Sequence, residues 1–194
     1  MPRHAEETVM PDFSGYGVAV PIVETARLTL RPHRLADFDA SFAMWTDPDV
    51  VRYIGGKPST EQQAWSRMVN YAGHWALMGF GYWVIEEKST GSFVGEVGFA
   101  DFRRVIAGSM RGVPEIGWTL DSRFHGRGYA TEAVRAAVAW GDVRFGPVRT
   151  VCLINAANVA SIRVAEKSGY AEFERTVFNE QPTLFLARGT FHTL

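Results

Sequence analysis

Apolar residues recur along this chain with two spacings, and each switch of spacing marks a predicted change of element. The clearest helical stretch follows Gly128. There Ala130, Ala133, Val134, Ala137 and Val138 fall at i, i+3, i+4, i+7 and i+8, one buried face of a helix. The residues on that face are small, so the helix can lie close against a sheet. Glu132 in its first turn suits the helix dipole, and Gly141 and Gly146 are read as breaking the pattern. Before this helix, residues 115–120 read as a strand, and after it the β-rich run 149–154 reads as another. Strand, glycine loop, helix and strand make one βαβ unit.

A second helix follows at once. Asn158 fits its N-cap, Lys167 its last turn and Gly169 the position just past its end. Upstream, residues 27–31 alternate as a strand does. A helix is predicted from Leu35 to about Trp45, ending before Asp47-Pro48. Ser59, with Gln62 in the capping-box position, is the expected start of another helix reaching about His74. Residues 81–87 and 92–99 form a predicted hairpin turning at Thr90-Gly91. A loop is expected over 103–112, and the last strands over 171–177 and 183–188. The predicted class is α/β, with one mixed, largely antiparallel sheet flanked by helices.

Composition narrows the function classes. The 194 residues suffice for one domain with a good core, expected over 21–194 behind a flexible lead of 1–20. A net charge of −1 argues against nucleic acid or an anionic membrane as partner. The lone cysteine, Cys152, rules out an internal disulfide framework and fits a cytoplasmic location; on a strand it reads as a small buried group. No apolar run is long enough to span a bilayer, and the first 20 residues carry charges and prolines rather than a signal peptide's apolar block. The five histidines are scattered without helical pairing or cysteine partners, so no metal site is expected.

The candidate chemistry sits in residues 123–132, Arg-Phe-His-Gly-Arg-Gly-Tyr-Ala-Thr-Glu. Two glycines at a strand-to-helix junction leave main-chain N–H groups uncovered beside the positive end of a helix, a ready site for a pyrophosphate. A P-loop would need a lysine and a hydroxyl residue after the glycines, and a dinucleotide fingerprint would need a glycine where Thr131 stands. The pattern Gln/Arg-x-x-Gly-x-Gly/Ala is satisfied by Arg123, Gly126 and Gly128. This loop resembles the acetyl-CoA pyrophosphate loop of the GNAT acyltransferase superfamily. The run from Asn155 through Asn158, Ser161, Glu166, Lys167 and Gly169 to Tyr170 resembles the Asn-x-x-Ser…Glu-Lys-x-Gly-Phe signature of its RimJ/RimL branch. Thr25-Ala-Arg27-Leu-Thr-Leu-Arg31 and Pro114-Glu115-Ile-Gly117-Trp118 are similar to that branch's opening strand and Ala-Glu-Ile-Gly-Tyr strand.

The resemblance implies a GNAT fold, a mostly antiparallel sheet with one splayed parallel strand pair that admits acetyl-CoA. It implies that the main chain of Trp118, Thr119 and Leu120 pairs with the pantetheine arm, with a bulge easiest at Gly117. The pyrophosphate would meet the N–H groups of His125, Gly126, Arg127, Gly128, Tyr129 and Ala130. Arg123 and Arg127 would add charge, and Asn155 or Asn158 would bond the arm from the far side. The implied reaction is N-acetyl transfer to a primary amine, on a small molecule or a protein N-terminus, with a homodimer the favoured assembly. Glu115 is the first candidate base and Glu96 the second. The tyrosine that many members use as acid is replaced by Ala165, and Ser161, one turn earlier, is the substitute. A solvated or paired carboxylate, and a cap-region serine, are the plain alternatives for these residues. Aromatic residues Trp45, Trp65, Trp75, Phe80, Tyr82 and Trp83 read mainly as core, and Arg103, Arg104 and Arg111 as a solvated face. A CoA-binding module without turnover is the competing reading, supported by Ala165.

Overall fold

The computed structural model describes residues 19–104 and 112–189. Residues 1–18 of the expected lead, and Arg111 with most of the loop expected before the 115–120 strand, lie outside the described residues. Those described form one eight-stranded sheet in the order β1-β2-β3-β4-β5-β6-β8-β7. The strands are β1 (Val23–Glu24), β2 (Leu28–Arg31), β3 (Tyr82–Glu87), β4 (Phe93–Ala100), β5 (Glu115–Leu120), β6 (Thr150–Asn155), β7 (Ala171–Phe178) and β8 (Gln181–Arg188). Every neighbouring pair is antiparallel except β5 and β6.

Helix α4 (Tyr129–Phe145) packs across one face, touching β1, β2, β4 and β5, with α5 (Val159–Lys167) beside it. The opposite face carries α1 (Phe38–Thr46), the single turn α2 (Pro48–Val51) and α3 (Glu61–Met78). The small residues anticipated on α4 do bring it close: Ala133, Val134 and Ala137 are fully buried against the sheet. Gly141 is the exception to the sequence reading. It does not end α4, which runs on to Phe145; a β-carbon at Gly141 would lie 2.9 Å from the Phe99 ring, so the glycine marks close packing. Gly146 does terminate the helix. Around that contact Trp75, Trp83, Trp140, Phe99 and Phe145 meet edge to face, with ring centroids 4.8–5.8 Å apart.

The start of α3 differs by one residue from expectation. Thr60, not Ser59, is the N-cap, and Gln63, not Gln62, closes the capping box; the helix also outlasts His74 by a turn. Asn158 caps α5 as predicted, its Oδ1 accepting the Ser161 N–H at 3.1 Å.

Candidate active site

Strands β5 and β6 touch only where they begin. Glu115 pairs with Val151, and beyond that point no register is kept, so the strands splay. The main-chain edges of β5 divide unequally between its neighbours. Asp121 donates its N–H to the Val94 carbonyl at 2.9 Å, and strand alternation turns Thr119 and Gly117 to β4 as well. Trp118 therefore presents its N–H and C=O groups to the gap and Leu120 its N–H, with the Leu120 carbonyl met by His125 Nε2, whereas Thr119, expected to share that edge, spends its own on β4. The expected bulge at Gly117 is also absent: pairing runs without a break from Gly95–Leu120 to Ala100–Glu115. Gly117 answers a different need. The Tyr82 hydroxyl lies only 2.1 Å from where a β-carbon of residue 117 would stand, so only glycine leaves room for that phenol.

The glycine loop follows β5 directly. Gly126 and Gly128 both adopt positive φ, 75° and 78°, which a residue with a β-carbon adopts only under strain. Among the described residues the N–H groups of Gly126, Arg127, Gly128, Tyr129 and Ala130 find no acceptor, so five donors converge at the positive end of α4. His125 departs from expectation here. Its N–H is spent on the Ser122 carbonyl at 3.1 Å, while its Nε2 meets the Leu120 carbonyl at 2.9 Å. Arg123 also turns away: its guanidinium grips Asp121 at 2.7 Å, and that contact holds the Asp121 carboxyl below its ordinary range. Of the two loop arginines, Arg127 is the one whose charge is uncommitted to a carboxylate among the described residues; it lies over the Phe124 ring.

A brace that sequence reasoning missed holds this loop. Glu132 accepts from the Thr25 hydroxyl at 2.7 Å, the Arg27 N–H at 2.9 Å and Arg27 Nε at 2.7 Å. Arg27 also reaches the Arg127 carbonyl at 3.0 Å, and its guanidinium stacks over Tyr129. The Tyr129 hydroxyl bonds Glu87 at the end of β3. The opening-strand motif thus anchors the loop on which an anion would sit.

The splay opens into a cleft of about 1190 Å³ between β5, β6, α5 and the α2–α3 segment, lined by Glu115, Gly117, Trp118, Thr119, Cys152, Asn155, Asn158 and Ser161. Glu115 is buried, and Arg104 clamps both its oxygens, at 2.8 and 3.0 Å. Burial pushes its pKa above the usual carboxylate value, and the Arg104 charge opposes that rise without cancelling it. Arg104 is accordingly no solvated residue, contrary to the sequence reading. Glu96 does not line the cleft. It is 1% exposed, accepting from the Ser41 hydroxyl at 2.7 Å and Trp45 Nε1 at 3.0 Å. His33 Nε2 lies 3.4 Å from it, near enough for an ion pair but without hydrogen-bond geometry. Burial raises the Glu96 pKa, yet His33, Ser41 and Trp45 together outweigh it and the net shift is downward.

On the far wall, the side-chain carbonyls of Asn155 and Asn158 are committed to the Ala157 and Ser161 N–H groups, which leaves their amide NH₂ groups for a guest. The half-buried Ser161 hydroxyl lies on the same wall. Trp45 and Tyr82, read from sequence mainly as core, also border the cleft, Trp65 stands partly exposed, and Trp75 and Trp83 are core as expected.

The arrangement offers a strand edge for amides, a nest of donors for phosphates beyond one end of that strand and the buried Glu115 carboxylate at its other end. Comparison with known proteins decides the family, because the acetyltransferase (GNAT) domain profile matches residues 27–171. The chain belongs to the GNAT acetyltransferases. The described fold agrees with a GNAT-family acetyltransferase from Bordetella pertussis, described as putative, at 34% identity and a TM-score of 0.79, covering 88% of this chain and 100% of that one. YkkB of Bacillus subtilis, an uncharacterized protein, is 35% identical over 75% of this chain and 82% of its own length. The uncharacterized N-acetyltransferase p20 of Bacillus licheniformis is 29% identical over 72% of this chain and 76% of its own. As a GNAT acetyltransferase the chain takes its acetyl group from acetyl-CoA.

Proposed function

We propose that this GNAT domain acetylates a primary amine by direct attack within a ternary complex, and that it falls in the RimJ/RimL branch. The observation that carries the reading is the strand gap running into a nest of five unspent N–H donors. A pantetheine arm fits the gap as an added strand, pairing with Trp118 and Leu120 from one side and meeting the Asn155 and Asn158 amides from the other. The pyrophosphate then falls on residues 126–130, with Arg127 beside it.

The chemistry follows from the same positions. Glu115, directly or through water, takes a proton from the ammonium so that the amine can attack the thioester carbonyl. The C–N bond forms, and the oxygen that gains charge is held by an N–H group of the open β5 edge. The C–S bond then breaks, and the second proton of the attacking nitrogen passes through the Ser161 hydroxyl on the opposite wall to the departing sulfur, which leaves the N-acetyl amide and the coenzyme thiol. A second reading, a CoA-binding module without turnover, is favoured by the Arg104 clamp on Glu115 and by Ala165 where an acid would stand.

Free-thiol release against a panel of amines and peptides separates the two. Gly126→Trp, which fills the open space over the nest, should weaken CoA binding strongly, whereas Glu115→Gln should slow transfer and leave CoA binding nearly unchanged. An unaltered CoA affinity in the first variant removes the loop from the site. CoA binding with no thiol release for any acceptor favours the module.

A further inference from the structure

The acceptor side of the cleft has a charge pattern that none of the motifs accounts for. Among the described residues lining it, Lys57, Arg67 and Arg104 are cationic and Glu115 alone is acidic. Arg104 already neutralises Glu115, so the net field on the acceptor side is positive. Arg67 is half-buried, lies flat over the Trp45 ring at 3.6 Å, and forms no ion pair among the described residues; its one polar contact is a long 3.4 Å bond to the Ser59 hydroxyl. A guanidinium held rigid in this way, with its donor edge unspent, is a receptor for an oxyanion.

Two phenols stand beside it. Tyr71 lies one helical turn on from Arg67, and its ring stacks on Tyr82 with centroids 4.1 Å apart. Both tyrosines line the cleft, at 4% and 5% exposure, and neither hydroxyl has a hydrogen-bond partner among the described residues. Neither oxygen is a buried unpaired atom, so each hydroxyl opens to the cleft with its donor unspent. Burial raises both phenol pKa values, so each stays a donor through the neutral range. The Tyr82 hydroxyl hangs over Gly117, two residues along β5 from Glu115, at the reacting end of the strand and away from the glycine loop.

Resting on the acetyl-transfer reading above, we infer that the acceptor is an amine that also carries a carboxylate, an α-amino acid in chemical class, with Arg67, Tyr71 and Tyr82 receiving the carboxylate while its amine faces Glu115. Polycationic acceptors, polyamines and aminoglycosides, meet the wrong sign of charge in this cleft and, among the described residues, no second carboxylate to hold them.

The test uses the full chain with acetyl-CoA, L-amino acids, the matching L-amino acid carboxamides, O-phosphoethanolamine, spermidine and kanamycin. Thiol release should show kcat/KM for an amino acid exceeding that of its carboxamide by roughly tenfold to a hundredfold, the range for a charge-assisted hydrogen bond. In Arg67→Gln this ratio should collapse towards one through KM for the amino acid, while the carboxamide rate and the CoA affinity stay put. Tyr82→Phe should reduce the ratio in the same direction and more weakly. Binding of the same probes to the CoA-bound protein, measured by calorimetry, separates this inference from the reaction it rests on. Carboxylate-dependent binding without turnover keeps the acceptor class and removes the transfer; efficient transfer to spermidine or kanamycin keeps the transfer and overturns the acceptor class. A preference for O-phosphoethanolamine, or no amino acid favoured over its carboxamide in either measurement, also overturns it.

Discussion

At the scale of single residues the site turns on the Glu115–Arg104 pair. A carboxylate lifted by burial is a stronger base than a solvated one, but a guanidinium on both its oxygens restrains it. Glu115→Gln should lower kcat by about 10²- to 10⁴-fold, the usual worth of a positioned base, as read in a thiol-release assay. Arg104→Gln is the more discriminating change. Arg104 opposes the upward shift, so removing it should raise the Glu115 pKa further. The acidic limb of the kcat/KM profile should then move to higher pH, and a limb that stays in place would argue that Glu115 is not the titrating base. Glu115 was legible because it sits in a strand motif with a role attached. Arg104 was not: it pairs with a residue eleven positions further on, and no spacing in the sequence links the two. Tyr82 was hidden for another reason, since an aromatic on a buried strand reads as core until the missing β-carbon at Gly117 shows where its hydroxyl goes.

At the scale of elements, the sequence placed nearly every strand and helix but missed what joins them. Thr60 capping α3 in place of Ser59 has a local cause: Ser59-Thr60 and Gln62-Gln63 are tandem, so two capping boxes one residue apart fit the same pattern. Thr60→Ala should therefore cost about 1 kcal/mol in denaturant unfolding, and Ser59→Ala much less. Gly141 misled because a glycine in a helical pattern reads as a break when, as here, it can mark a close contact. The Glu132 brace joins segments 105 and more residues apart and leaves no trace in spacing. Its loss has a measurable result. Glu132→Ala strands the Thr25 and Arg27 donors and frees Arg27 from the loop. CoA affinity should fall by roughly tenfold, on the order of one charge-assisted bond, although Glu132 touches none of the donors meant for the pyrophosphate. Equal affinity in titration calorimetry would make the brace a matter of stability alone.

At the scale of the whole molecule, buried carboxylates set the response to acid. Glu96 among Ser41, Trp45 and His33, and Asp37 clamped by Arg31 at 2.7 Å, both have pKa values below their ordinary ones despite burial. A depressed carboxylate stabilises the fold above its unfolded value and loses that contribution as pH falls through the folded one. Thermal unfolding should thus hold steady down to about pH 5 and drop below about pH 4, and Glu96→Gln should flatten that drop. The overall architecture was expected from resemblance. Splaying of β5 from β6 agreed, whereas the insertion of β8 between β6 and β7 is a long-range pairing that no stretch of the chain announces.

The sole sulfhydryl of the chain has a practical side. Cys152 is 1% exposed on β6, and burial pushes its thiol well above the range in which it ionises at neutral pH. A disulfide chromogen added to the native protein should meet almost no reactive sulfur of its own making. Colour that develops during turnover then counts coenzyme released, molecule for molecule.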